Sequence, residues 1–105
     1  MITVRSDHLK WCITLQGHAG APANRQGHDL VCCAASVLIQ ALIYSTSRRG
    51  YSMEHEAYDG YEHVGIVRGE QQMDAELLSA FTTIEHGMDM LEEAYPEHIR
   101  VIRIW

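Results

Sequence analysis

The sequence predicts a two-layer α+β domain in which a small mixed or antiparallel sheet is covered by two long helices. Three observations carry that prediction. Apolar residues alternate with polar ones at both ends of the chain, two long stretches repeat at helical spacing, and short strand-like runs come in pairs around turn residues. The order they give is β-β-α-β-β-α-β within 105 residues, a length that suits a single domain over 1–105.

Ile2 and Val4 alternate with Thr3 and Arg5, the mark of a half-buried strand, and Ser6-Asp7-His8 is turn material. Trp11, Ile13 and Leu15 alternate with Cys12, Thr14 and Gln16, a second strand that forms a hairpin with the first. Residues 17–27 (Gly-His-Ala-Gly-Ala-Pro-Ala-Asn-Arg-Gln-Gly) make a loop that is long for so small a domain. Its small residues resist fixation, which predicts mobility over 19–26. Asp29 is a good N-cap for a helix over 30–46 that ends before Gly50. That helix is apolar on most of its circumference, so it is expected to be covered on more than one side. Runs over 51–58 and 61–68 flank Asp59-Gly60, a strong hairpin signal. From 73 to 95, Leu77, Phe81, Ile84, Met88, Leu91 and Tyr95 recur at spacings of four and three, and Pro96 stops the helix. The β-branched run 99–105 reads as a closing strand.

A net charge of −6 argues against direct nucleic-acid binding, which needs a basic surface to displace counterions. Arg48-Arg49 reads as solvated surface. The apolar run from Leu30 to Tyr44, broken by Ser36 and Gln40, is expected to be too short to cross a bilayer and to form a buried helix instead. Three cysteines, two of them adjacent, make a poor disulfide framework. No signal-peptide pattern precedes the first strand, so a reducing, cytoplasmic compartment is expected.

The residues that can do chemistry flank the long loop. Cys32 falls in the first turn of the first helix, where unpaired N–H groups and the helix dipole favour a thiolate, although the Asp29 carboxylate nearby opposes it. His18 ends a strand on the other side of the loop. Closing the loop brings it toward Cys32, as a base for a nucleophilic thiol, and the same N–H groups could form an oxyanion hole. The plain alternative is that a Cys on an apolar helix is a small hydrophobe, as Cys33 and Cys12 are expected to be. His28, Cys32 and His18 invite a metal reading. There is no C-x-x-C or H-E-x-x-H, however, so neither a metal nor another cofactor is expected. His8, His55, His63, His86 and His98 read as scattered surface or hairpin residues.

The run Gly17-His18-Ala19, followed by Gly27-His28-Asp29-Leu30-Val31-Cys32 and then Ala34-Ala35-Ser36, resembles the ribosomal-processing cysteine protease family called Prp. The opening residues 1–4 and the closing stretch 92–100 are similar as well, so the resemblance covers nearly the whole chain. It implies that His18 is the catalytic base and Cys32 the nucleophile, with Asp29 and Ser36 in supporting or orienting positions. Gly17, Ala19, Gly20 and Gly27 would belong to the substrate loop. It also implies a homodimer whose substrate is the N-terminal extension of a ribosomal large-subunit precursor, protein twenty-seven. The chain departs from the family pattern in a slightly longer loop carrying Pro22, in Cys33 where Ala is common, and in Leu38-Ile39-Gln40 where Phe-Gly-Ser would follow.

Two rival readings stand beside this one. In the first, the chain is a non-enzymatic dimeric module that binds protein or the ribosome, and the motif only ties the loop to the helix start. In the second, Cys32 and Cys33 act as a thiol redox pair, which adjacent cysteines rarely suit because they seldom reach disulfide geometry. A thiolate at Cys32 that alkylates at neutral pH separates the enzyme from the module.

Overall fold

Strand alternation, a turn-forming aspartate and two capped helices place every element where the sequence puts it. The computed structural model describes residues 1–18, 20, 29–67 and 74–104. The elements run β1 (Ile2–Asp7), β2 (Cys12–Gln16), α1 (Leu30–Arg48), β3 (Ser52–Tyr58), β4 (Tyr61–Val67), α2 (Ala75–Ala94) and β5 (Ile99–Ile104). In β1, Ile2, Val4 and Ser6 are buried while Arg5 faces solvent, as a period of two requires. Asp7 Oδ1 then accepts from the Leu9 and Lys10 amides at 2.8 and 3.0 Å, which closes the turn and sends β2 back antiparallel to β1.

The five strands lie in the order β3-β4-β2-β1-β5. Only the β1–β5 pair is parallel; the rest of the sheet is antiparallel. A parallel neighbour needs a crossover, and α2 supplies it between β4 and β5. Both helices lie on one face of the sheet, α1 against β3 and β4 and α2 against β5, in contact with each other. The core between the layers holds Val4, Ile13, Val64 and Ile99 from the sheet. Ile39 and Leu42 come from α1, and Leu77, Phe81 and Met88 from α2.

Asp29, with φ −73° and ψ 112°, caps α1 by accepting from the Val31 and Cys32 amides, each at 3.0 Å. Asp74 does the same for Leu77 at the start of α2, at 2.7 Å. Where the helices meet, Gly87 makes room for Leu38, since a Cβ there would stand 2.8 Å from Leu38 Cδ2.

The first helix corrects two expectations. It runs 19 residues to Arg48, and with a mean hydropathy of 1.7 it is long and apolar enough to cross a membrane by length and composition alone. It is also covered less than expected. Val31, Ala35, Ile39, Leu42 and Thr46 are buried along one stripe, whereas Leu30, Val37 and Tyr44 are each more than half exposed.

His8 corrects a third. It is part of a polar cluster built on Glu85, which is 3% exposed on the inner face of α2. Ser6 Oγ donates to Glu85 at 2.5 Å, and His8 Nε2 lies 2.7 Å from the same carboxylate. Arg103 sits beside Ser6 in the β1–β5 register and ion-pairs with Asp89. A buried carboxylate survives because these donors replace its water.

Candidate active site

The end of β2 is built to hold an imidazole. Gly17 adopts φ +97°, and a Cβ there would stand 2.4 Å from the Met1 carbonyl oxygen, so only glycine fits. Its N–H donates to the Gly60 carbonyl at 2.8 Å, which ties β2 to the β3–β4 turn. His18 therefore lies against that turn. Its Nε2 would be 3.1 Å from a Cβ on Gly60 and is 3.5 Å from Asp59 Oδ1. The imidazole is 64% exposed, so it is held by the turn rather than by the core.

Opposite, α1 presents Cys32 and, one turn later, Ser36 on one face. His18, Cys32 and Ser36 line a single cleft of about 280 Å³, together with Gly17, Gly60, Glu62 and the apolar Ile2, Leu15 and Ala57. Tyr58 and Tyr61 stack at its edge with ring centroids 4.6 Å apart. The pair expected from the sequence is thus brought to one open cleft between β2, α1 and the β3–β4 turn.

The first-turn amides are arranged differently from the expected oxyanion hole. Val31 N and Cys32 N donate to Asp29 Oδ1, and Cys33 N donates to the Asp29 carbonyl at 3.0 Å. Asp29 thus fixes the helix start that carries Cys32. Gly20 has φ +68° and is exposed, while Ala19, residues 21–26 of the loop expected to be mobile, and Gly27 and His28 lie outside the described residues.

The other two thiols are placed apart from the cleft. Burial, with Asp7 and Glu54 adding to it, pushes the Cys12 thiol up from its ordinary value, so it stays protonated at neutral pH. Cys33 is exposed rather than packed, and it lines a second, apolar groove with Ala34, Val37, Leu38, Met90 and Leu91 between the helices. Among the described residues, no group of three or more His, Cys, Asp or Glu side chains is placed to hold a metal ion.

Two parts of the site escaped the sequence reading: Asp59-Gly60, seen only as a turn, which stands beside His18, and Glu62 in the cleft wall. The signal for Glu62 was present. It shares the inward register of β4 with Val64 and Ile66, and a charge on a core-facing position needs partners.

A thiol at a helix start and an imidazole across an open cleft define the class of hydrolases that work through cysteine. The family model for cysteine protease Prp matches residues 1–100, and the chain belongs to that family. Among solved structures, the chain is similar to the essential ribosomal processing protease Prp from S. aureus. In its complex with a covalently linked product peptide, the TM-score is 0.80 at 24% identity, over 98% of this chain and 99% of that one. The same S. aureus protein with a substrate peptide gives 0.76 at 24% identity, covering 98% and 99% of the two chains. SMU.848 from Streptococcus mutans gives 0.72 at 22%, covering 98% of this chain and 91% of that one. At these identities the likeness is one of fold. No curated protein matches the sequence.

Proposed function

We propose that this cysteine protease is a cytoplasmic, homodimeric endopeptidase that removes the N-terminal extension of ribosomal large-subunit protein twenty-seven. Cys32 is its nucleophile and His18 its base. The observation that carries the reading is the shared cleft: His18, Cys32 and Ser36 line one opening of about 280 Å³. The S. aureus relative of the same fold is described as a ribosomal processing protease bound to a substrate peptide, which supports the substrate class.

In this mechanism His18 takes the proton of Cys32 Sγ, and the thiolate attacks the scissile carbonyl carbon. The imidazolium returns the proton to the leaving amine as the C–N bond breaks, which leaves an acyl-thioester. His18 then draws a proton from water, the hydroxide attacks the thioester, and Cys32 is released. Asp59 Oδ1, 3.5 Å from Nε2, orients the ring. Asp29 holds the Cys32 helix turn through two amide hydrogen bonds. The dimer would bury the apolar groove between the helices, where Val37 and Met90 are 66% and 70% exposed.

The test is co-expression with the host ribosomal precursor, read by mass spectrometry. Cys32→Ser is expected to abolish trimming, and Cys33→Ala and Cys12→Ser to retain it. At pH 7 a thiol reagent is expected to label Cys32 ahead of Cys12, whose raised pKa confines its thiolate to alkaline solution. An inert Cys32 beside an intact fold would favour the non-enzymatic binding module.

A further inference from the structure

One charged side chain in the cleft has no part in that chemistry. Glu62 opens β4 in the inward register, opposite Leu15 on β2 and Ala57 on β3, both of which also line the cleft. Its side chain is only 15% exposed. One oxygen, Oε2, is already held, by Gln40 Nε2 at 3.1 Å and by His55 Nε2 at 2.9 Å. Among the described residues, no hydrogen bond reaches Oε1. Among the described residues, the ionisable side chains lining that cleft are Glu62, His18, the nucleophile and the two tyrosines.

Its position along the cleft can also be read. Cys32, Ser36 and Gln40 fall at i, i+4 and i+8 on one stripe of α1, and Gln40 reaches Glu62. Eight helical residues rise about 12 Å, and an extended peptide spans about 3.3 Å per residue, so a substrate running along α1 would bring Glu62 to a side chain about two to four residues from the scissile bond. A half-buried carboxylate with one oxygen that takes no hydrogen bond from the described residues, beside the apolar Ile2, Leu15 and Ala57, discriminates by charge.

We infer that Glu62 is a specificity-determining residue, which accepts a hydrogen bond from a Lys or Arg side chain of the substrate two to four residues from the cleaved bond. The inference rests on the endopeptidase reading and deepens it. An apolar substrate residue there would leave Oε1 dehydrated and unpaired, and a site built to bond a donor rejects a ligand lacking one.

The experiment uses the full chain and peptides centred on the cleavage site found by mass spectrometry. Lys, Gln or norleucine is placed in turn at each of the positions two to four residues away. At one position, wild type is expected to favour Lys over norleucine by about tenfold or more in kcat/KM. Glu62→Gln keeps the shape and one donor-acceptor pair, and it is expected to cut that preference to about threefold or less. Glu62→Lys is expected to reverse it in favour of a Glu-bearing peptide. Cleavage with no Lys preference, equal preference for Gln and Lys, or a preference unchanged in Glu62→Gln would each overturn the inference and leave the protease reading standing. If neither variant folds, the wild-type preference alone decides. No cleavage of any peptide, together with an unreactive Cys32, would sink the protease reading and this inference with it.

Discussion

Replacing His18 by alanine separates a catalytic imidazole from a structural one. The side chain is 64% exposed, and its polar contact is with Asp59 at 3.5 Å, itself 96% exposed. An ion pair so open to water contributes little, and the ring is mostly exposed, so the folding cost is expected on the order of 1 kcal/mol or less. For a domain of this size that lowers the melting midpoint by about 4–8 °C at most. The loss of activity is far larger. Without His18 the thiol has no base and the leaving amine no acid, a loss of about a hundredfold or more in rate. That corresponds to about 2.7 kcal/mol of transition-state stabilisation, well above the folding term. The assay is the thermal midpoint beside kcat/KM on one peptide for wild type and His18→Ala. A variant that melts far earlier yet cleaves normally while folded would make His18 structural and refute the mechanism.

Two further outcomes follow from the same geometry. Gly17→Ala places a Cβ against the Met1 carbonyl at a φ that L residues avoid, so a loss of about 2–3 kcal/mol in urea unfolding is expected, and near-wild-type stability would show that β1 yields there. If the groove between the helices is the dimer face, light scattering at micromolar concentration gives twice 11.9 kDa and Val37→Glu yields a monomer, whereas a wild-type monomer excludes the interface.

The elements were legible because each is specified locally. Ile2 and Val4, then Ile13 and Leu15, alternate as strands do, Asp59-Gly60 turns the second hairpin, and Pro96 follows the end of α2. What was not legible is which elements become neighbours. Nothing local says that β2 pairs with β4 or that β5 lies parallel to β1, because those registers are settled by the shared core. The misreadings trace to that gap. His8 looks like turn material until Glu85, 77 residues away, is brought to it. Yet Glu85 lies on the buried stripe with Phe81 and Met88, and a charge there announces a buried partner. His18 and Cys32 could be paired from the loop between them, but the Asp59 carboxylate reaches His18 only through the β2–β4 ladder. The amides at the start of α1 read as free donors because the dual use of Asp29, as cap and motif residue, is a matter of side-chain geometry.

The hydrogen bond from Gly17 to Gly60 also bears on when, during synthesis, the cleft can form. A nascent chain that has emerged only as far as α1 carries both the thiol and the imidazole, but it has no β4 for β2 to lie beside and no turn under the ring. The cleft that His18 and Cys32 share is therefore complete only once the second hairpin has formed and docked beside β2.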